Sequence, residues 1–240
     1  MSFYQQLSQY YDHLFPANPA QISLIEKYAA SSARILDIAA GTGNQALLLA
    51  SKGYDVTAID SSAEMISKIE EKSQDGKIPI QTLLVDMENI QTITSTYDVI
   101  VCIGNSLSHL TTLSKISETV KDIGKLLESD GTFIVQIVNF DRVIEEKIHS
   151  LPLIQTSTGL TFQRTYEFKE NHLIFHGSLS VDENGQQSHF ENKVELYPLQ
   201  SYELVSLLQN AGFSEISLYG DYQENEYSIT SPAIVAVAKK

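Results

Sequence analysis

The run Ile35-Leu36-Asp37-Ile38-Ala39-Ala40-Gly41-Thr42-Gly43-Asn44-Gln45-Ala46-Leu47-Leu48-Leu49-Ala50 decides how the rest of the chain is read. Ile35, Leu36 and Ile38 form the short apolar run of a strand buried on both faces of a parallel sheet. Gly41-Thr42-Gly43 turns the chain sharply, and Gln45 to Ala50 continues as a helix of good formers. Glycine lets a ligand approach the backbone at such a turn, and the free N–H groups of the helix start favour an anionic group. Asp37 stands near the end of the strand, just before the turn. A nucleoside with both an anionic and a cationic end suits this place. Gly41-x-Gly43-x-x-Ala46 also satisfies the dinucleotide fingerprint, with Asp60 at about the 20-residue distance of a ribose-binding acid. Asp37 weighs against that alternative, an NAD-linked oxidoreductase, because it would face a pyrophosphate across the turn. A cationic amino group would pair with it.

The balance of the whole chain narrows the partners. Its 240 residues carry 16 Lys and Arg against 30 Asp and Glu, a net charge of −14. Nucleic-acid binding rests mostly on basic contacts to phosphate, so no nucleic acid and no anionic membrane surface is expected as partner. The acidic surface suits a cationic or neutral small substrate. The single cysteine, Cys102, lies in an apolar strand-like run and reads as a small buried hydrophobe in a reducing compartment. No apolar run approaches the ~20 residues of a membrane span, and the start lacks the basic and apolar regions of a signal peptide. A cytoplasmic location is therefore expected. The six histidines show no metal-ligand spacing and no Gly-x-Ser-x-Gly elbow occurs, so neither a metal nor a serine nucleophile is expected.

Outward from the organising run, Tyr54–Asp60 reads as a second strand ending in an acid that can accept both hydroxyls of a ribose. Ser61-x-x-Glu64 has the pattern of a capping box opening the next helix, with Met65, Ile66 and Ile69 on its apolar side. Ile78–Met87 reads as a third strand ending near Asp86, and Val99–Ile103 as a central strand. Gly104-Asn105 then turns at its carboxyl end, where open α/β sheets bind ligands. Leu113, Ile116, Val120, Ile123 and Leu127 follow at spacings of 3, 4, 3 and 4, a helix that Ser129-Asp130-Gly131 should end before strand Thr132–Val138.

Two stretches carry a family resemblance. Asp37-x-Ala39-x-Gly41-x-Gly43 resembles the first motif of class I S-adenosylmethionine methyltransferases, with Ala39 in place of the usual first glycine. Cys102-Ile-Gly-Asn-Ser-Leu-Ser-His-Leu110 resembles the Cys-Leu-Gly-Asn-Ser-Phe-Ala-His-Leu of glycine N-methyltransferases and related small-amine enzymes. The resemblance implies S-adenosylmethionine as cofactor, Asp86 accepting from the adenine amino group and Met87 packing on the ring. It also implies an N-terminal lid, read in Phe3-Tyr4…Tyr10-Tyr11-Asp12…Phe15-Pro16, with Tyr11 and then Tyr4 over the methionine end. Ser61, Met65 and Ile103 complete the expected cofactor set. Asn105 is implied to hold the substrate near the sulfonium, through its carbonyl for an amine; His109 would be the base for a hydroxyl. Asn139-Phe140-Asp141 is similar to the family's Asn-Tyr-Asp. The family's glycine-carboxylate arginine falls just before it, where this chain has Val138, and that speaks against glycine as substrate.

After Gly159 the period changes to two. Leu160–Phe168, His172–Val181 and Ser188–Tyr197 alternate between turn-rich joints, an antiparallel meander. Arg164, Tyr166, His172, His176 and Tyr197 are its candidate specificity residues. Pro198 should open a helix closed at Gly212-Phe213, before strands Glu215–Tyr219 and Ala233–Ala238. The expected fold is thus α/β: a doubly wound, seven-stranded, mostly parallel Rossmann-like sheet of class I methyltransferase type, with an antiparallel β insertion as a cap. Residues 1–141 and 198–240 form the core and 142–197 the cap. The expected activity is methyl transfer to a small-molecule acceptor, foremost an amine nitrogen. A non-catalytic S-adenosylmethionine-binding protein is the alternative outside enzymology, and a homodimer is left open.

Overall fold

The computed structural model describes residues 3–183 and 186–240. Two helices lead, α1 (Phe3–Leu14) and α2 (Pro19–Tyr28). The alternating part follows: β1 (Arg34–Ile38), α3 (Asn44–Ser51), β2 (Asp55–Asp60), α4 (Ala63–Gly76), β3 (Gln81–Leu84), β4 (Tyr97–Cys102), α5 (Leu113–Leu126) and β5 (Leu127–Val138). After α6 (Phe140–Glu145) comes the meander β6 (Ile154–Gln155), β7 (Leu160–Phe168), β8 (Leu173–Glu183) and β9 (Gln186–Leu196). Helix α7 (Ser201–Asn210) and strands β10 (Glu215–Tyr219) and β11 (Ala233–Lys239) complete the chain.

The main sheet has the order β10-β11-β5-β4-β1-β2-β3. β1, β2, β3, β4 and β5 pair in parallel, and β11 runs antiparallel between β5 and β10. This is the expected seven-stranded, mostly parallel sheet. Its strands are apolar on both faces because helices cover both. Leu36, Ile100 and Phe133 bury on one side with α5 and α7, while Ile35, Val99 and Ile134 bury on the other with α2, α3 and α4. The order reverses between β1 and β4, and the turns after these two strands open the crevice where such sheets take ligands.

Several boundaries differ from the sequence reading, each for a local reason. Ser62, not Ser61, caps α4, its Oγ accepting from the Met65 N–H at 3.4 Å; Asp60 Oδ1 accepts from the Ser62 N–H, and β2 ends at Asp60 as read. Ser129-Asp130-Gly131 does not separate α5 from β5 but forms a bulge inside the strand. Pairing steps there from Tyr97–Leu127 to Val99–Thr132, Asp130 sits at φ 64, and Arg34 and Thr96 hold Glu128 at the bulge. Helix α7 opens at Ser201 rather than Pro198, with Gln200 and Glu203 forming a reciprocal capping box. Its end is as read: the Phe213 N–H reaches back to the Leu208 carbonyl at 3.1 Å with Gly212 at φ 92.

The meander is a separate four-stranded sheet, β6-β7-β8-β9, with the two-residue β6 a strand the alternation did not announce. It packs on α1 through Leu14, Phe162 and Leu179, and on α6 through Phe140, Tyr166 and Leu196. Both ends of the insertion meet at Asp141, whose carboxylate accepts from Gln200 Nε2 and from the Ser201 N–H, each at 3.0 Å. The Tyr197 N–H also donates to the Ser108 carbonyl at 2.9 Å, tying the sheet to the turn after β4.

Candidate active site

The turn after β1 is built on left-handed backbone, with Ala39 at φ 56, Gly41 at φ 57 and Gly43 at φ 77. A Cβ on Gly43 would come within 2.8 Å of Ile69, so glycine is required for α3 to lie this close to α4. The Gly41 N–H donates to Asp60 Oδ2 at 2.9 Å and the Ser62 N–H to Asp60 Oδ1 at 2.9 Å. Burial raises the Asp60 pKa, opposed by the bonds from Ser62, Gly41 and Ser61, with the charge of Asp86 adding to the rise. Asp37 lies buried beneath the turn. Burial, and then repulsion from Asp60, push it up to about 7 against a hydrogen bond from Gln45.

A cavity of about 410 Å³ opens between this turn, the turn after β4 and the inner face of the cap. Tyr11, Ala39, Gly41, Asp60, Ser61, Met65, Asp86, Met87, Asn105 and His109 line it. Of the residues expected in the site, Asp37, Gly43 and Ile103 do not line it. The side chain of Tyr4 lies outside the described residues. Tyr11 covers Gly41: a Cβ on that glycine would lie 3.2 Å from the ring. Helix α1 is fixed over the turn by Asp12, which accepts from the Thr42 hydroxyl and pairs with Lys72 at 2.9 Å. Burial alone would raise Asp12, but the bonds from Thr42 and Lys72 outweigh it and hold it below the ordinary carboxylate value. Lys72 also reaches Asn44 Oδ1, and Asn44 Nδ2 donates to the Phe15 carbonyl, both at 2.9 Å.

At the other end, Asn105 sits at φ 68 on the turn after β4. Its Oδ1 accepts from the Val138 N–H at 2.9 Å and from Ser108 Oγ at 3.2 Å. A backbone N–H can only donate, so the carboxamide is oriented without ambiguity. The carbonyl expected to receive a substrate N–H is committed to the protein, and the amide NH₂ is the polar end left for the cavity. His109 is exposed to the cavity, yet the surrounding protein desolvates it and lowers its pKa.

The cap contributes Arg164 and Tyr166 from β7. Burial raises Tyr166 to about 12, with Arg164 opposing. The other three specificity candidates face elsewhere. His172 lies 3.7 Å from Glu195 and His176 3.5 Å from Glu167, on the outer side of the sheet, while the Tyr197 hydroxyl donates to Glu203 at 2.7 Å. Phe15, read in the lid, also lines the cavity, and sequence reasoning passed over Phe162, Phe175 and Asn192, which do so too. The alternation contained the signal for Phe162, since it shares the Arg164–Tyr166 face; Asn192 is set by register across two strand pairs. Among the described residues no cluster of His, Cys, Asp and Glu could hold a metal ion, and no helix is long and apolar enough to cross a membrane.

Comparison with known proteins agrees with this arrangement. Residues 35–131, from β1 to the bulge of β5, match the family model of a methyltransferase domain. The putative methyltransferase YqeM of Bacillus subtilis is 28% identical over 242 residues, covering 99% of this chain and 97% of that protein. Glycine/sarcosine N-methyltransferase of Aphanothece halophytica is 27% identical over 214 residues, covering 86% of this chain and 76% of that protein. The crystal structure of a S-adenosylmethionine-dependent methyltransferase from Clostridium acetobutylicum superposes with a TM-score of 0.85 at 18% identity, over 99% of both chains. With the reversed seventh strand, the glycine turn and the domain match in hand, the chain is a class I S-adenosylmethionine-dependent methyltransferase.

Proposed function

We propose that the protein methylates the nitrogen of a small-molecule amine. The relatives named glycine/sarcosine N-methyltransferases support a nitrogen acceptor. The observation that carries the reading is the state of His109. The surrounding protein desolvates its imidazole and lowers its basicity, and among the described residues no carboxylate bonds to it. Such an imidazole is a poor base for an alkyl hydroxyl, whereas the free base of an amine attacks without one. The cap closes over the cavity, which suits a small acceptor.

The walls fit the cofactor. Asp60 fixes its two oxygens on Gly41 and Ser62, and their remaining lone pairs suit the two ribose hydroxyls. Asp86 is an acceptor for the adenine amino group, with Met65 and Met87 against the base and Tyr11 over the methionine end. Gly41 admits the ligand to the backbone, while Ala39 and Gly43 shape the turn. Ser61 lines the wall beside Asp60, and Asp37 and Ile103 lie outside the lining. Among the described lining residues the cofactor end has no Lys or Arg, so its field favours a sulfonium and an ammonium over a pyrophosphate. Bound there, S-adenosylmethionine supplies an activated methyl: the nitrogen lone pair bonds to its carbon as the carbon–sulfur bond breaks, the pair passing to sulfur. The protein's part is alignment and exclusion of water. The Asn105 NH₂ donates to the acceptor molecule; the amine attacks as its free base, and the proton of the methylated ammonium leaves to solvent.

The test places S-adenosylmethionine, S-adenosylhomocysteine and NAD side by side in thermal unfolding. Ligand at about 100 times its dissociation constant stabilises by roughly 2.7 kcal/mol. The two adenosyl ligands should shift the transition and NAD should not. Radiolabelled methyl transfer to matched primary amines and alcohols should favour the amines; faster alcohol methylation would overturn the nitrogen.

A further inference from the structure

The inner face of the cap carries a polar row set between apolar ones. In register across the sheet, Arg164 of β7 lies opposite Gly177 of β8, and Gly177 opposite Asn192 of β9. Paired residues of an antiparallel sheet point to the same face, so Arg164 and Asn192 project together into the cavity they both line. Between them Gly177 has no side chain, and a Cβ there would press on the rings of Phe162 and Phe175 at 3.2 Å. Phe162 lies two residues to one side of Arg164, and Tyr166, facing Phe175, two residues to the other. The guanidinium and the carboxamide thus stand at the two ends of a row whose middle, over Gly177, is covered by the edges of the Phe162 and Phe175 rings.

Arg164 has no counter-ion. Its Nη2 donates to the Pro152 carbonyl at 2.9 Å, whereas its Nε is buried with no hydrogen-bond acceptor. Among the described residues no carboxylate pairs with it, although the protein carries 30 acids. Burial lowers its pKa, as expected of a cation held away from water without an anion. Arg164 is also the lone Lys or Arg among the described residues lining the cavity. Its Nε is closed to a ligand, but a guanidinium without a counter-ion in a cavity wall leaves its other donors for an anion that the ligand brings.

We propose that Arg164, with Asn192, is the recognition site for a carboxylate on the methyl acceptor, whose apolar body lies against the Phe162, Tyr166 and Phe175 rings. This rests on the methyltransferase reading of the same cavity and names the acceptor class. A carboxylate can accept from the guanidinium donors that the Pro152 carbonyl leaves free. A phosphate dianion would be left half-neutralised beside Asp60, Asp86 and Glu88, which line the same cavity. The acidic surface of the whole chain therefore does not describe its acceptor pocket. Val138 stands in the turn region where an arginine would read glycine; here the anion is read from the cap, farther along an apolar wall.

The experiment titrates 3-phenylpropanoate, 3-phenylpropanamide and phenyl phosphate by calorimetry into the full chain saturated with S-adenosylhomocysteine, for the parent, Arg164→Gln, Arg164→Lys and Asn192→Ala proteins. The carboxylate should bind the parent at least about tenfold more tightly than the amide, as charge-assisted hydrogen bonds require. Arg164→Gln should erase that preference, Arg164→Lys should keep part of it, and S-adenosylhomocysteine affinity should not change. Equal binding of carboxylate and amide, tighter binding of the phosphate, an Arg164→Gln protein that keeps the preference, or no saturable carboxylate binding at millimolar concentration would each overturn the assignment. Should Arg164→Gln not bind S-adenosylhomocysteine, the comparison of ligands on the parent protein and on Arg164→Lys decides. Failure of the parent protein to bind S-adenosylhomocysteine would instead strike at the cofactor reading.

Discussion

The backbone N–H of Gly41 donates to Oδ2 of Asp60 at 2.9 Å, so the first glycine of the turn after β1 hangs on the acid that ends β2. One carboxylate therefore shapes the turn and faces the ligand. Asp60→Ala should weaken S-adenosylmethionine binding by about 1–3 kcal/mol, the usual worth of hydrogen bonds to a charged acceptor. Asp60→Asn, which keeps one backbone acceptor, should lose less. Calorimetry reads both, and an unchanged affinity in Asp60→Ala would remove the residue from the site.

Helix α1 is tied to the glycine turn and to α4 by the bonds of Asp12 to Thr42 and Lys72. The Asp12–Lys72 pair is partly exposed, so Asp12→Asn should cost stability no more than about 1 kcal/mol. Its larger effect should be kinetic: with α1 released, Tyr11 leaves Gly41 and S-adenosylhomocysteine dissociates several times faster in stopped flow. An unchanged off-rate would make α1 a passive cover.

Asp37 gives a pH signature with a definite sign. Its folded pKa is raised from 3.8 to about 7, so between these values the folded state holds a proton that the unfolded state has lost. Stability attributable to this group thus falls as pH rises through that window and stays low above it. Asp37→Asn should raise the melting temperature of the ligand-free protein at pH 8, each 1 kcal/mol recovered being worth about 2–4 °C at this size. It should change little at pH 4. A lower melting temperature at pH 8 would mean that the charge is satisfied in place.

How much of this was legible in the sequence differs from residue to residue. The glycine turn, Asp60 and the alternation of Leu160–Phe168 are local patterns, and the structure has the turn and strands where the patterns put them. The orientation of Asn105 is not local: it depends on a backbone N–H 33 residues away on β5. The segment between β10 and β11 has no period at all. Its fold is set by Asn139 Nδ2, which donates to the carbonyls of Ile229 and Ser231 at 3.0 and 2.9 Å, and by the Tyr227 hydroxyl on Asp141 at 2.6 Å. Ser62 replaced Ser61 as a cap because a third party, Asp60, claimed the intervening N–H.

Asn105→Ala removes the acceptor of the Val138 N–H and the donor turned to the cavity. It should lower kcat by about 100-fold, since misplacement of about 1 Å suffices for that, while S-adenosylmethionine affinity changes little. Asn105→Asp keeps the acceptor for Val138 but exchanges the donor for a charge, and should be as slow as alanine with a better-preserved melting temperature. His109→Ala should be mild for an amine acceptor; a severe loss would instead make His109 the base of a hydroxyl acceptor. Steady-state methyl transfer with labelled cofactor measures all three; parental turnover in Asn105→Ala would leave it a turn residue.

Asp141 receives both Gln200 and Ser201, so the chain leaves the main sheet for the cap and returns to it at a single point. A unit with so narrow a stem is an exchangeable part. Exchanging this meander for another would replace the inner face of the cavity while leaving the glycine turn after β1 as it is. Divergence in what is methylated is thereby decoupled from the inheritance of how.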